Sequence, residues 1–353
     1  MACCAPLFPF IKANVNADEG QFGLVLLCLG LGSLIAMPVT GIISARKGAR
    51  PMVLLGGFGL VAFLPIVALS SSPWMLGAAL FVFGASLGTI DVAMNVHGAE
   101  VEGRERRPLM SNFHAHFSIG GFLGAALMTL VLWLQLSIVI AALIGAAVAL
   151  GLMVVARPRL LAVSGGEPEP FVFPRGVVIL LAVLAALTFL IEGAVLDWGA
   201  LLIVDLGLMP VETAGAGYIL FSVAMVIGRL TGDYLVSRFG ELLMLVLGGL
   251  VTMTGLASVL IAPSAVMAGA GFVLIGFGAA NLVPIVFSAA GRQKVMPAGL
   301  ALASVTTTGY AGVLLGPALI GFFAEQVTLP FAFWLLVALM LVVPLSARFV
   351  VRA

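Results

Sequence analysis

The chain has 353 residues, of which 62% are hydrophobic and only 9% are charged, with a formal net charge of +1. An ordinary soluble domain carries roughly 25% charged residues, so this composition excludes a soluble globular protein. The apolar runs approach ~20 residues, whereas the strands of a membrane barrel alternate apolar and polar residues over ~10. We therefore predict an all-α integral membrane protein, and the small net charge gives no indication of a nucleic-acid partner.

Apolar runs between charged or proline-rich breaks predict eleven membrane-spanning helices. Each span needs about 20 mainly apolar residues to cross ~30 Å of hydrocarbon. The apolar stretch 2–13 ahead of them covers only about 18 Å at 1.5 Å per residue and is too short to cross. The predicted spans are 21–44, 53–70, 74–97, 109–134, 137–156, 177–197, 213–236, 242–262, 266–290, 299–324 and 330–347.

The positive charges predict how the chain is oriented. Fourteen of the sixteen Lys and Arg residues fall in alternate connections or at the C-terminus, and Lys12 and Arg229 are the exceptions. Because cytoplasmic loops carry the excess of Lys and Arg, we expect a multi-pass protein of the inner or plasma membrane with a cytoplasmic C-terminus. The longest connection, 157–176, contains Glu-Pro-Glu-Pro, which predicts a flexible cytoplasmic linker between two helical domains, 1–156 and 177–353.

The two predicted domains repeat each other. Three stretches match in order: Gly41, Arg46 and Gly48 with Asp233, Arg238 and Gly240; Gly120, Gly124 and Leu127 with Gly312, Gly316 and Leu319; and Gly88 and Asp91 with Gly278 and Asn281. The first two matches are 192 residues apart and the third is 190 apart. This regularity predicts two parallel six-helix bundles related by a pseudo-two-fold axis. It also places the start of the first helix about fifteen residues before Met1, so we expect that helix to be truncated.

A short turn after the second helix carries a family signature. It reads Gly41-Ile-Ile-Ser-Ala45-Arg46-Lys47-Gly48-Ala49-Arg50. It resembles the Gly-x-x-x-Asp-Arg-x-Gly-x-Arg/Lys turn of the major facilitator superfamily, with Ala45 at the Asp position. Segments that begin at Asp91, Ser111 and Glu192 resemble the fucose-permease-like and rhizopine-permease-like branch. The resemblance implies a secondary transporter that works by alternating access, with a site near the midplane between the halves.

Glu192 is the first candidate for a functional charge. An ionisable side chain at the centre of a span costs at least ~2.5–3.5 kcal/mol on insertion scales, so it is a functional candidate by default. Glu192 lies about fifteen residues into the seventh span and has no charged sequence neighbour within one helical turn. An isolated carboxyl of this kind could carry a proton or bind a solute hydroxyl or amine. The alternative is a hydrated carboxylate near the outer mouth.

Asp91 and His114 form a second candidate site, because they lie at similar depth in consecutive antiparallel spans. If they face each other, the pair could titrate near physiological pH and couple protons or contact the solute. The alternative is a structural latch in which Asp91 neutralises Arg46 or Arg50.

Two asparagines and one charge couple complete the candidate residues. Asn95 lies one turn beyond Asp91, and Asn281 could hydrogen-bond either the solute or a neighbouring helix. Arg229 and Asp233 stand at i and i+4, so we expect them to neutralise each other at the cytoplasmic end of the eighth span. The predicted cytoplasmic turn and latch comprises Gly41, Arg46, Gly48, Arg50, Arg229, Asp233 and Arg238.

The sequence favours transport over catalysis. It contains no Walker-type loop and no catalytic arrangement of Ser, His, Asp or Cys, and the spacing of Cys3, Cys4 and Cys28 fits no metal site. We therefore expect no enzyme, no cofactor and no bound metal. The leading hypothesis is a monomeric, proton-coupled secondary transporter of a small polar, sugar-like solute. The alternatives are efflux of amphipathic compounds, favoured by 23 Phe and 15 Met, and a non-transporting remnant or sensor with an incomplete first helix.

Overall fold

The computed structural model describes residues 5–17, 19–162, 173–210 and 216–352. Cys3, Cys4 and the central part of the predicted linker, 163–172, lie outside these residues. The helices are α1 Phe8–Asn14, α2 Glu19–Lys47, α3 Arg50–Ala68, α4 Pro73–Glu105, α5 Met110–Trp133, α6 Ile138–Ala156, α7 Val177–Asp205, α8 Ala216–Leu260, α9 Ala265–Ala279, α10 Leu282–Arg292, α11 Ala298–Gln326, α12 Leu329–Met340 and α13 Val342–Val351. Within the described ranges, nine segments are long and apolar enough to cross a membrane.

These helices account for the eleven predicted spans once three irregular segments are taken into account. α8 is two helices joined at Gly240, where φ is 79°, so it supplies two spans. α9 and α10 together form one span with a break at residues 280–281, and α12 and α13 form another. The short α1 corresponds to the apolar stretch that precedes the spans.

Hydroxyl caps begin equivalent helices in the two halves of the chain. The Ser72 Oγ accepts a hydrogen bond from the amide of Met75 at 3.3 Å, and the Ser264 Oγ accepts one from Met267 at 3.4 Å. A side-chain oxygen at this position satisfies one of the amides that a helix leaves unpaired at its start. The two caps are 192 residues apart, as the predicted repeat requires.

The chain folds as two compact units. The first comprises Met1–Val101 and His116–Val172, and the second comprises Glu102–Ala115 and Phe173–Ala353. The division differs from the predicted domains in one respect, because the α4–α5 connection and the first residues of α5 group with the second unit. In the first unit α3 packs on α6, and in the second α7 packs on α11 and α8 packs on α9.

Glycines bring helices into backbone contact at equivalent places in both units. These contacts are Gly84 on Leu29 with Gly276 on Phe221, and Gly56 on Ile90 with Gly248 on Leu282. A Cβ at any of these four glycines would overlap a neighbouring helix, so glycine permits the close approach. Equivalent partners are 192 residues apart throughout, so the repeat predicted from the sequence is present in the packing.

The offset of 190 residues predicted for Asp91 and Asn281 is wrong. The contacts on both sides of this region keep the spacing of 192, which makes Thr89 the counterpart of Asn281. Thr89 meets Thr40 through a hydroxyl hydrogen bond of 3.2 Å. At the equivalent place in the second unit, the amide of Asn281 packs directly against Gly232.

The turns after the two equivalent helices share one backbone conformation. Gly48 has φ 78° and Gly240 has φ 79°. This left-handed region costs a residue with a Cβ roughly 1–2 kcal/mol, whereas glycine adopts it freely. Glycine is therefore required at both turns for the same local reason.

Candidate functional site

A buried ion pair joins α7 and α8 within the second unit. The Nη2 of Arg229 lies 3.2 Å from Oε1 and 3.4 Å from Oε2 of Glu192. The Arg229 side chain is 8% exposed and the Glu192 side chain is 21% exposed. Glu192 lies near the middle of α7, and Arg229 lies near the middle of the first arm of α8, 216–239. Both charges are therefore far from the helix ends, where water would solvate them.

A backbone carbonyl at the break between α9 and α10 also holds Arg229. Its Nε donates to the carbonyl oxygen of Ala280 at 3.3 Å. In a continuous helix that oxygen would accept from the amide of residue 284, but residue 284 is proline and has no N–H. Pro284 therefore leaves the Ala280 carbonyl available to the guanidinium. A proline four residues after this alanine is the sequence signal that marks the break.

Asn281 fastens the same break to α8. Its Nδ2 donates to the carbonyl oxygen of Gly228 at 3.1 Å, and its amide lies where a Cβ on Gly232 would have to go. The side chain is 4% exposed. Of the two roles considered for Asn281, the geometry shows the contact with a neighbouring helix, and this contact positions residues 280–281 beside Arg229.

His114 approaches the ion pair from the first turns of α5. Its ring packs edge-on against Phe287 of α10, with the ring centroids 5.5 Å apart. It lies close enough to Arg229 for the positive charge to act on the imidazole. We call Glu192, Arg229, His114 and residues 280–281 the central cluster. Its members come from α5, α7, α8 and the α9–α10 break, and all lie in the second unit.

Two expectations from the sequence are wrong at this cluster. Glu192 is not isolated, because Arg229 reaches it from a residue 37 positions away. Arg229 and Asp233 do not form the predicted couple along α8, because Arg229 pairs with Glu192 and Asp233 accepts hydrogen bonds from the start of α5. Side chains at i and i+4 can meet on a helix, but the buried cation is better compensated by the carboxylate of a facing helix.

Two carboxylates cap the start of α5. Asp233 accepts hydrogen bonds from the amides of residues 111 and 112 at 3.0 and 2.9 Å. Glu102 accepts from the amides of residues 109 and 110 at 2.8 and 3.0 Å. The first amides of a helix have no partner within it and carry partial positive charge, so two anions at this end stabilise α5. The latch role predicted for Asp233 thus takes the form of a helix cap.

An arginine links this cap to the end of α10. The Nη2 of Arg292 lies 2.7 Å from both carboxylate oxygens of Glu241, and its Nη1 lies 3.6 Å from Glu102. A small cavity beside these groups is lined by residues that include Asp233 and Ser288. The Arg292 side chain is 48% exposed, so screening by water reduces the strength of these ion pairs.

The remaining polar candidates of the spans lie in the first unit. Asp91 is 7% exposed and Asn95 is 4% exposed. The Nδ2 of Asn95 donates to the backbone carbonyl of Asp91 at 2.9 Å, which ties the two along α4. His114 belongs to the second unit, so the pairing of Asp91 with His114 stays a prediction.

The predicted turn residues differ in their surroundings. Gly41 is buried within α2, whereas Arg46 is exposed at the end of that helix. The Nη2 of Arg50 donates to the carbonyl oxygen of Arg157 at 3.3 Å, which joins the start of α3 to the end of α6. Arg238, in the second unit, is exposed. These arginines therefore hold the helix ends and do not belong to the central cluster.

Comparison with known proteins identifies the family. The model described as Major Facilitator Superfamily matches residues 1–295. An uncharacterized MFS-type transporter of Yersinia pestis is 45% identical over 355 residues, which cover 100% of this chain and 92% of the relative. Membrane protein MosC of Rhizobium meliloti is 28% identical over 99% of this chain and 86% of its own length. The crystal structure of the Escherichia coli fucose:proton symporter FucP has the same fold, with a TM-score of 0.77 at 17% identity over 99% of this chain and 95% of that chain. This chain is therefore a membrane transporter of the major facilitator superfamily.

Proposed function

We propose that this transporter moves a small polar solute together with protons, and that Glu192 takes up the proton. The observation that carries the proposal is the Glu192–Arg229 pair beside the broken helix at residues 280–281. Secondary transporters bind solutes and coupling ions where discontinuous helices present free carbonyls near the midplane. The likeness in fold to a fucose:proton symporter supports the same kind of transport here.

Protonation of Glu192 would change what Arg229 can bind. A buried ion pair persists because each charge compensates the other for the loss of water. Once Glu192 is neutral, it no longer compensates Arg229, and the guanidinium becomes available to a solute. A solute that binds Arg229 then favours the protonated form of Glu192, because coupling between two binding sites is reciprocal. This reciprocity is what proton-coupled transport requires.

The test measures solute uptake into proteoliposomes with and without a proton gradient. A panel of labelled sugars that starts with L-fucose serves as the probe, and wild-type protein is compared with Glu192→Gln. We expect the gradient to accelerate uptake by wild type and to have no effect on Glu192→Gln. Glu325→Gln is the matched control, because Glu325 is an exposed carboxylate near the end of α11. Equal uptake by wild type with and without the gradient would contradict proton coupling.

We also propose that the C-terminus lies in the cytoplasm. The proposal is supported by Arg348 and Arg352 near that end and by the alternating distribution of the other basic residues. A single cysteine placed after Arg352 in a chain without other cysteines should react with a membrane-impermeant thiol reagent only after the cells are permeabilised.

A further inference from the structure

We propose that the solute is a small organic anion whose carboxylate replaces Glu192 on Arg229. This inference rests on the proposed protonation of Glu192 and names the substrate class of the same site. Three features of the central cluster support an anion over a cation or a neutral polyol.

The two partners of the ion pair are held unequally. Arg229 is anchored by the bond from its Nε to the Ala280 carbonyl and is the more buried of the two side chains. Glu192 is more exposed, and both of its oxygens contact a single nitrogen of Arg229. Glu192 is therefore the partner that can move away, while Arg229 stays in place. A ligand that exchanges with the mobile partner has to carry the charge of a carboxylate.

The geometry of the pair leaves room for a better partner. Strong arginine–carboxylate pairs have two parallel N–H···O bonds of about 2.7–2.9 Å. In this pair the contacts of 3.2 and 3.4 Å both come from Nη2, so Glu192 does not form the two-nitrogen fork. The backbone of α7 restricts where the Glu192 carboxylate can lie. A free carboxylate has no such restriction and can align with the guanidinium, which lets it compete with Glu192.

The balance of charge points the same way. A proton bound to Glu192 leaves the charge of Arg229 uncompensated, and a monovalent anion restores neutrality. A neutral polyol would leave Arg229 buried without a counter-charge, which is costly, and a cation would add to the repulsion. The anion and the proton would then cross together without net movement of charge and be released together when Glu192 loses its proton and pairs again with Arg229.

The other titratable groups around Glu192 do not offer this exchange. Arg229 on α8 is the group whose charge acts on Glu192, and His114 on α5 is the neighbouring titratable group beside Arg229. Tyr310 of α11 packs against Phe189, one turn before Glu192. The charged groups at the ends of the helices packed on α7 are Asp233, Arg238, Arg292, Glu325 and Arg348. They lie several turns from the middle of α7, so Arg229 is the group on which an anion would bind.

The experiment compares three ligands of one size and different charge. Purified full-length protein in detergent is titrated with propionate, propionamide or n-propylammonium at constant ionic strength, at pH 5.5 and pH 8, and its melting temperature is recorded. We expect propionate to raise the melting temperature of wild type more at pH 5.5 than at pH 8. Glu192→Gln should bind propionate at pH 8 about tenfold more tightly than wild type does, because the competing carboxylate is gone.

Arg229→Gln should lose the response to propionate. If that variant does not fold, Arg229→Lys serves instead and should bind propionate more weakly than wild type, since lysine has no fork for a carboxylate. Glu325→Gln should behave as wild type. The inference is overturned if n-propylammonium is the preferred ligand, if propionamide matches propionate, or if Glu192→Gln responds to none of the three.

The two proposals can fail separately. Uptake that depends on the proton gradient and on Glu192, without preference for propionate, would remove the anion and keep the proton coupling. Preference for propionate in Glu192→Gln, with uptake that ignores the gradient, would keep the anion site and remove the coupling.

Discussion

The two units share a scaffold, but only the second has a charged centre. At a spacing of 192 residues, Arg229 corresponds to Met37, which is fully buried. Pro284 corresponds to Val92, whose amide is available to its own helix. Two substitutions thus separate an apolar helix contact from a site with a fixed cation and a free carbonyl. Helix packing was retained in the repeat, while the chemistry was placed on one side of it.

The contact next to the cluster shows how this difference is accommodated. In the first unit, Thr40 and Thr89 meet through their hydroxyls. In the second unit, Gly232 takes the place of the first threonine, and Asn281 fills the space with its larger amide. The removal of one side chain admits the other, so the helices stay close while the asparagine gains a bond to the carbonyl of Gly228.

Arg229→Met, which introduces the residue of the first unit, should have the largest effect. Loss of the guanidinium leaves Glu192 buried without its partner, and we expect the free energy of unfolding to fall by about 3–5 kcal/mol and transport to stop. Thermal unfolding in detergent and uptake into proteoliposomes measure the two effects. The double variant Arg229→Met with Glu192→Gln should recover most of the stability and none of the transport. A single variant as stable as wild type would show that the pair is not buried as described.

Pro284→Val should close the break in the second unit. The new amide of residue 284 would donate to the Ala280 carbonyl and compete with Arg229. We expect uptake to fall about tenfold, which corresponds to about 1.4 kcal/mol, without loss of thermal stability. Pro65→Val is the matched control, because Pro65 also lies inside a helix, α3, but in the first unit. Unchanged uptake by Pro284→Val would show that the free carbonyl has no role in transport.

Asp233→Gly, which introduces the counterpart residue Gly41, should uncap α5. We expect a loss of about 1–2 kcal/mol, because the amides of residues 111 and 112 lose a charged acceptor. Hydrogen exchange at these two amides should accelerate. Asp233→Asn retains an oxygen but removes the charge, so its effect should be intermediate. Protection equal to wild type in Asp233→Gly would rule out the cap.

Gly240→Ala should have the smallest effect, because the penalty is purely conformational. A Cβ at this position meets nothing within 4 Å, so only the positive φ opposes it. We expect a loss of about 1 kcal/mol in thermal unfolding. Gly48→Ala should cost at least as much, since its φ is nearly the same and Gly48 is buried. A neutral result at one turn but not at the other would break the equivalence of the units.

The extent of the helices and the repeat could be read from the sequence, and the partners of the charges could not. The apolar runs and the glycine turns depend on local properties, so the predicted spans match the helices closely. Arg229 was matched to Asp233 because they are close in sequence, whereas Glu192, its partner, lies 37 residues away. The proline at 284 was visible in the sequence, but its meaning required knowing that a guanidinium lies beside the carbonyl of Ala280.

The amino-acid sequence alone established a helical membrane protein with two repeated halves and left-handed glycines at equivalent turns. These features follow from the length of apolar runs and from the absence of a Cβ, which act over a few residues. The tertiary structure decided that Arg229 faces Glu192 and that Asp233 caps α5. Those contacts depend on which faces of distant helices meet, and in apolar spans the pattern of hydrophobic residues leaves the facing side undetermined.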